Sequence, residues 1–270
     1  MAALAIAILV VAGMCLAAWH DTMADPVVRR TTVALPGMPA GSAPVTIALL
    51  ADFHPAEPDM PPARLARIVG QVNALKPDVI VLAGDFISDP GFGLRPYPIA
   101  ASIAPLGKLR ARLGIYAVMG NHDSSRDLRQ IRLELARQGI TVLGWNARAV
   151  GPLVIGGINH PYIGRRRLVA TLATMHRLDG GPVLVSHYPD PFAHLPANTG
   201  LMLAGHTHCG QISLFGWAPI TGSSYGQRYA CGVVRERGNT LVVTAGLGTS
   251  IIPVRFGARP DIWLVEVRPR

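Results

Sequence analysis

The chain has 270 residues, of which 50% are hydrophobic and 15% are charged, so it can bury a sizeable core. Its formal net charge of +9 comes almost wholly from arginine, because only Lys76 and Lys108 are lysines. The charge reflects either compositional bias or a basic surface suited to anionic lipid or a phosphorylated substrate. Aromatic residues make up 6% of the chain and the tightest basic cluster is Arg165–Arg167, so a nucleic-acid-binding surface is not expected.

The first 22 residues are predicted to form a membrane anchor. Ala2–Trp19 carries no charge, and a helix of that length at about 1.5 Å per residue approaches the ~30 Å hydrocarbon core of a bilayer. The run has no preceding basic residue and no good small-x-small cleavage site, which favours an uncleaved anchor over a signal peptide. Because Arg29 and Arg30 follow the span, the positive-inside rule predicts the main domain on the cytoplasmic face, with an exported form as the alternative.

Residues 23–44 are rich in proline and glycine and are interpreted mainly as a linker, with a short strand at Val27–Leu35. The remaining residues, 45–270, are predicted to form one domain. Cys15 lies in the hydrophobic leader, so Cys209 and Cys231 allow at most one disulfide in this domain. The chain contains no CxxC pair, which argues against a structural zinc site.

Apolar runs alternate with amphipathic segments through the first half of the domain. Helices are predicted after Pro61-Pro62, over Ile99–Leu113 with a break or restart at Pro105, and over Ser125–Gln138. Strand-like runs lie between these helices, and shorter ones follow Gly139. This pattern predicts an α/β domain with a central sheet, or two sheets packed face to face, and helices outside.

Five of the strand-like runs end in side chains that can bind a metal ion. In chain order, the ends are Asp52-Phe53-His54, Gly84-Asp85, Gly120-Asn121-His122-Asp123, Ser186-His187 and Gly205-His206-Thr207-His208. Taken singly, such residues are ordinary turn formers or helix caps. Together they supply carboxylate, amide and imidazole donors at strand ends, where α/β folds gather their ligands. This mixture suits two divalent ions about 3.5–4 Å apart that share a bridging carboxylate.

These five motifs, in this order, resemble the complete signature of the calcineurin-like metallophosphoesterases over roughly residues 45–267. The segment Gly246–Gly257, with Pro260-Asp261-Ile262, resembles the membrane-associated bacterial branch of that family. The resemblance implies a four-layer α-β-β-α sandwich, in which two mixed sheets pack face to face with helices outside.

The resemblance also implies a role for each site residue. One metal ion would bind Asp52, His54, Asp85 and His208, and the other would bind Asp85, Asn121, His187 and His206, with Asp85 bridging. A hydroxide between the two ions would attack phosphorus in line. His122 would donate a proton or hydrogen bond to a substrate oxygen, and Asp123 would hold the His122 ring. Manganese, iron and zinc all suit this donor set.

Two features of the sequence depart from the family pattern or lie outside it. Cys209 follows His208 where this branch usually has glycine; it could act as a soft ligand, alter metal preference or fill space, and the last is favoured. His160 and Arg165–Arg167 lie on a loop that could contact the substrate.

The predicted function is therefore metal-dependent hydrolysis of a phosphodiester, phosphomonoester or pyrophosphate bond, on a membrane-proximal or lipid-linked substrate. A more specific alternative is UDP-diacylglucosamine pyrophosphatase activity in lipid A synthesis, which resembles that of some relatives. A second alternative is a non-catalytic metal-holding scaffold at a membrane, although no ligand is missing. A nuclease would share the chemistry, but it needs an open basic groove with stacking aromatics.

Overall fold

The computed structural model describes residues 1–159 and 164–270. The α-helices are α1 (Ala2–Met23), α2 (Pro62–Ala74), α3 (Ile99–Ile103), α4 (Asn121–Ser124), α5 (Leu128–Arg137) and α6 (Gly164–Met175). The strands are β1 (Val27–Leu35), β2 (Val45–Leu50), β3 (Ala56–Glu57), β4 (Val79–Leu82), β5 (Arg95–Pro96), β6 (Ile115–Ala117), β7 (Thr141–Val142), β8 (Ala147–Val150), β9 (Leu153–Ile158), β10 (Gly181–Ser186), β11 (Leu201–Ala204), β12 (Gly232–Glu236), β13 (Asn239–Val243) and β14 (Asp261–Pro269). Short 3-10 helices cover Ala104–Lys108, Asp190–His194, His208–Gly210 and Gly226–Tyr229.

Two mixed sheets of six strands form the centre of the domain. Their strand orders are β1-β14-β2-β4-β6-β7 and β12-β13-β11-β10-β9-β8, and β3 pairs separately with β5. In the first sheet β2, β4 and β6 run parallel, with Leu50 opposite Leu82 and Leu82 opposite Ala117. In the second sheet β10 and β11 run parallel, with Val185 opposite Leu203. Because the carboxyl ends are in register, the loops that follow neighbouring parallel strands lie side by side.

The sheets pack face to face, and helices cover their outer faces. Ile47 and Leu49 point into the core between the sheets, whereas the alternate residues Ala48 and Leu50 pack under the helices on the outer face, as strand geometry requires. On the opposite outer face, Leu172 of α6 packs in a third core against the second sheet. The predicted four-layer α-β-β-α sandwich is confirmed.

Two predicted helices differ in extent from the expectation. The helix predicted over Ile99–Leu113 is α3 followed by a 3-10 helix, Ala104–Lys108, because Pro105 has no N–H to continue the α-helical pattern. The helix predicted from Ser125 begins at Leu128 instead, since the Asp127 side chain accepts the Gln130 N–H as an N-cap. The edge strands β8 and β12 were not predicted.

The N-terminal helix is tied to the domain by specific hydrogen bonds. The described part of the chain contains one helix long and apolar enough to cross a membrane, which is α1, and its apolar stretch is 0% buried. At its end, Thr22 Oγ1 accepts the Arg255 N–H at 2.7 Å and Asp21 Oδ2 accepts the Gly257 N–H at 2.8 Å. The strand expected within the Pro/Gly-rich segment is β1, which pairs in parallel with β14 along its whole length. Val27–Leu35 is therefore the edge strand of the first sheet.

Candidate metal centre

The ends of five strands bring the predicted ligands together at one edge of the sandwich. Asp52 and His54 follow β2, Asp85 follows β4, Asn121 follows β6, His187 follows β10, and His206 and His208 follow β11. Three groups of donor atoms each lie within 4.8 Å of one another: Asp52, His54 and His208; Asp52, Asp85 and His187; and His54, Asp85 and His122. The first group contains three of the four ligands expected for one ion, and Asp85 links the other two groups.

Contacts with His187 connect the remaining predicted ligands. His187 Nε2 lies 2.9 Å from Asn121 Oδ1, 3.2 Å from His206 Nδ1 and 3.2 Å from Asp85 Oδ2. Its other ring nitrogen, Nδ1, donates to the Ala83 carbonyl at 2.7 Å. The contact with the Ala83 carbonyl fixes the orientation of the ring. It leaves Nε2 directed at the metal-binding atoms of the other predicted ligands, as is typical of metal-binding histidine. All seven predicted ligands therefore belong to one connected cluster.

The backbone is strained where the ligands lie. Asp52, His54, Asp85, His206 and His208 all have positive φ, between 39° and 71°. Each such residue costs of order 1 kcal/mol or more, and clusters of them typically mark functional sites. Tight turns at the strand ends are the local cause, because the chain must reverse while directing a polar side chain inward. The fold holds these residues in conformations that local preference disfavours.

Two glycines allow the ligand loops to approach one another. Gly84 has φ +95°, and a Cβ there would lie 2.7 Å from Gly120 N and 2.8 Å from His187 Nδ1. A Cβ on Gly120 would lie 2.1 Å from Asp85 Oδ1. Real Cβ atoms do not come this close to backbone or carboxylate atoms, so a side chain at either position would displace a predicted ligand.

Burial and charge set the protonation of the cluster. Burial lowers the pKa of His54 and of His206 to about 3, so both imidazoles are neutral near pH 7 and offer lone pairs. Burial also disfavours charge on His187, but the Asp85 carboxylate outweighs it and raises the pKa of His187 to about 9. The same pairing outweighs the effect of burial on Asp85 and holds its pKa below the usual range. Burial raises the pKa of Asp52 to about 7.

His122 lies at the edge of the cluster, beside the carboxylate of Asp89, which is not among the predicted site residues. Its Nδ1 is 2.8 Å from Asp89 Oδ2, its Nε2 is 3.4 Å from Ser250 Oγ, and its side chain is 20% exposed. Arg126 Nε also donates to Asp89, at 2.9 Å. Asp89 lies in a Ser-Asp-Pro sequence that reads as an ordinary turn. Its position four residues after Asp85 is the only sequence signal that could have marked it.

Asp123 makes different contacts from those expected. Instead of holding the His122 ring, its buried carboxylate accepts the backbone N–H groups of Asp85 at 2.9 Å, Phe86 at 2.8 Å and Gly120 at 2.8 Å. Burial and the neighbouring Asp85 charge raise the pKa of Asp123 to about 7, although the backbone donors act in the opposite direction. Asp123 thus connects the loop after β4 to the loop after β6 through hydrogen bonds. The carboxylate that contacts the His122 ring is Asp89.

Cys209 is not a free thiol ligand, because it forms a disulfide with Cys231. It also fills space as expected, since it packs in a small buried cluster with Ala245 and Ala258. The 3-10 turn that contains His208 brings Cys209 next to Cys231, the residue that precedes β12.

Arg255 stabilises the same turn. Its guanidinium is fully buried, donates to the carbonyls of Ala245, Gly248 and Ala258, and lies 3.4 Å from His208 Nδ1.

The basic cluster that was considered for substrate contact lies in the first turns of α6. Arg165, Arg166 and Arg167 are exposed, and the Arg167 guanidinium lies 4.9 Å from the centre of the Trp145 ring. His160 lies outside the described residues. The described contacts of this cluster therefore do not include the metal ligands.

Comparison with known proteins agrees with this geometry. The sequence profile of the calcineurin-like phosphoesterase family matches residues 45–210. An uncharacterized metallophosphoesterase of Bacillus subtilis, YkuE, is 31% identical over 215 residues, covering 76% of this chain and 72% of that protein. The "transmembrane protein with metallophosphoesterase domain" is 30% identical in Danio rerio and 27% identical in Bos taurus, over 80% and 96% of this chain. The chain spans only 51% and 61% of the length of those two vertebrate proteins. It belongs to the calcineurin-like phosphoesterase family and is a metal-dependent phosphoester hydrolase.

Proposed function

We propose that this chain uses two divalent metal ions to hydrolyse a phosphodiester, phosphomonoester or pyrophosphate bond in a membrane-proximal or lipid-linked substrate. The observation that carries the proposal is the convergence of seven donor side chains from five strand ends. They are Asp52, His54, Asp85, Asn121, His187, His206 and His208.

The donor set fits metal ions. His54 is 1% exposed, and neither of its ring nitrogens has a hydrogen-bond partner among the described residues. An unpartnered buried polar group costs about 1–3 kcal/mol, which coordination of a cation would offset. The mixture of carboxylate, amide and imidazole suits manganese, iron or zinc. When bound, such ions lower the pKa of a coordinated water and offset negative charge on the phosphoryl group.

His122 is the side chain best placed to act on the substrate's oxygen atoms. With Nδ1 held by Asp89, the His122 Nε2 atom is the ring nitrogen available to the substrate. Donation of a proton or hydrogen bond from that atom would assist departure of the leaving oxygen. Asp89 orients the ring, and Ser250 lies next to the donating nitrogen. This arrangement gives His122 a role distinct from that of the metal ligands.

Asp123 acts as a positioning residue in this proposal. Its bonds to the backbone of Asp85 and Gly120 fix the spacing between the proposed bridging ligand and Asn121. Loss of those bonds would therefore reduce metal binding before it affects any proton transfer.

The described geometry also bears on where the enzyme works. We infer that α1 anchors the chain in a membrane and that the domain lies on the oxidising face. The Cys209–Cys231 disulfide supports this side, because disulfides are rare in the cytosol. The opposite prediction rested on Arg29 and Arg30, and Arg29 also has a structural role, since its Nε lies 2.9 Å from Asp261 Oδ2.

Thiol labelling in intact cells tests the side of the membrane. In a Cys15→Ala background, which removes the cysteine that lies within the proposed span, we expect Cys209 and Cys231 to resist a membrane-permeant maleimide until a reductant is added. Labelling of both cysteines without reductant would place the domain in the cytosol.

Hydrolysis of bis-p-nitrophenyl phosphate by the detergent-purified full-length chain tests the activity. With manganese, the wild type and a His176→Asn control are expected to turn over the diester, because His176 is an exposed histidine outside the cluster. His122→Asn is expected to lose about 10²-fold or more in kcat. Inactivity of the wild type with manganese, iron and zinc, on this diester and on UDP-diacylglucosamine, would favour the scaffold alternative.

A further inference from the structure

Large apolar side chains project from the loops around the metal centre, and we call them the apolar rim. Phe215 is fully exposed, Phe92 is 86% exposed and Ile251 is 74% exposed. The full set is Phe92, Leu214, Phe215, Trp217, Ile220 and Ile251. Scattered exposed apolar residues need no explanation, whereas a group gathered on adjoining loops typically marks an interaction surface.

The backbone presents two rim residues in conformations that their side chains disfavour. Leu214 and Trp217 exchange backbone hydrogen bonds of 2.8 Å and 3.0 Å across a tight turn. The central residues of this turn, Phe215 and Gly216, have φ of 52° and 83°. Ile251, a β-branched residue, has φ of 69°. Positive φ is unfavourable for bulky side chains, so these turns expose apolar groups without gaining local stability.

The rim is continuous with the end of α1. Trp19 is exposed near that end, and tryptophan is typical of the membrane–water boundary. Thr22 lies about 4.5 Å farther along the helix axis and accepts the Arg255 N–H. The Ser213 N–H in turn donates to the Phe256 carbonyl at 2.7 Å. The residue that precedes the turn bearing Phe215 is thus hydrogen-bonded to the segment that is itself bonded to the end of α1.

The rim also borders the metal centre. The Gln211 side-chain amide donates to the Ser250 carbonyl at 3.0 Å, and Ser250 Oγ lies 3.4 Å from His122 Nε2. A Cβ on Gly91 would lie 2.6 Å from the Ile251 carbonyl oxygen, so the loop that carries Phe92 packs against the loop that carries Ile251. The Cys209–Cys231 disulfide closes the segment that holds four of the six rim residues.

We propose that the apolar rim inserts into the headgroup region of the bilayer leaflet that α1 enters. The metal centre then opens directly onto the lipid surface, and the phosphoester that it accepts belongs to an amphipathic lipid whose chains remain in the membrane. The proposal rests on the proposed phosphoesterase function for the identity of the substrate. The proposed membrane contact rests on the exposure of the rim and on the hydrogen bonds that link its loop, through Phe256 and Arg255, to the end of α1.

Tryptophan quenching tests the contact without reference to catalysis. The full-length chain is reconstituted in nanodiscs of dioleoyl phosphatidylcholine or of its brominated analogue, as wild type and as Trp217→Phe. With Trp19 and Trp217 in lipid and the other two of the four tryptophans away from it, the wild type should lose about 1.5-fold more of its emission than the variant. Equal fractional losses would overturn the proposal.

Activity on two substrates tests the consequence. The triple variant Leu214→Ser, Phe215→Ser, Trp217→Ser is compared with Leu133→Ser, Val169→Ser, which removes exposed apolar groups from α5 and α6. We expect the triple variant to lose about tenfold in kcat/KM on a long-chain phosphodiester lipid in nanodiscs and to retain hydrolysis of bis-p-nitrophenyl phosphate. Retained lipid activity, or an equal loss on both substrates, would overturn the proposal. A wild type that is inactive on both substrates would refute the proposed function instead. The tryptophan-quenching measurement would still decide whether the apolar rim contacts the membrane.

Discussion

Removal of the Cys209–Cys231 disulfide is expected to lower the free energy of unfolding by about 3.4 kcal/mol. The two cysteines are 22 residues apart. In the chain-entropy treatment, closing a loop of that length removes about 11 cal/mol/K from the unfolded ensemble, which corresponds to about 3.4 kcal/mol at 25 °C. For a chain of 270 residues, an unfolding entropy of about 2.1 cal/mol/K per residue converts this loss into a Tm lower by about 6 °C.

The assay compares thermal unfolding of the detergent-solubilised wild type with that of Cys209→Ala/Cys231→Ala. Cys15→Ala is the matched control, because Cys15 is an exposed cysteine on α1 and forms no disulfide. The control should unfold at the wild-type temperature. A double variant with the wild-type Tm, or three reactive thiols in unreduced wild-type protein, would refute the reasoning.

Three further substitutions separate the roles assigned around the site. Asp89→Asn is expected to lower kcat by about 10²-fold without loss of bound metal, because it weakens the contact at His122 Nδ1 and touches no predicted ligand; parallel loss of metal by elemental analysis would contradict this role. Gly120→Ala should lose metal and activity together, since its Cβ would lie 2.1 Å from Asp85 Oδ1; native metal content would count against the crowding argument. Arg255→Met should lower the free energy of unfolding by at least about 3 kcal/mol, as three buried carbonyls lose their donors; an unchanged urea midpoint would disprove that support.

Most of the architecture was predictable from the sequence, because parallel strands that are buried on both faces are continuous apolar runs. Val79–Leu82 is wholly apolar and wholly buried, and Gly84 and Asp85 mark its end. The same pattern repeats at Asn121 and His187, so the order of the ligands along the chain was predictable. A gathering of ligands at strand ends was expected from α/β folds in general. The approach of the loop after β11 to the loop after β2 was predictable only through the family resemblance, because these strands belong to different sheets.

The features that could not be predicted from the sequence depend on contacts between segments that are far apart along the chain. Asp89 reaches His122 across 33 residues, and its Ser-Asp-Pro setting is equally typical of a solvent-exposed turn. Asp123 adjoins His122 in sequence, yet its carboxylate turns toward the backbone of the loop after β4. The disulfide required the 3-10 turn after His208, whose positive φ angles no pattern of hydrophobicity encodes. The apolar rim has the composition of core strands and is recognised only by its exposure.

Metal content of the purified full-length chain tests the central claim most directly. After loading with manganese and removal of free ions, elemental analysis is applied to the wild type, Asp85→Asn and the His176→Asn control. A shared carboxylate between two ions predicts about two manganese ions per chain in the wild type and the control, and at most about one in Asp85→Asn. A wild type that retains no manganese, iron or zinc, or an Asp85→Asn variant that retains the full complement, would contradict the account.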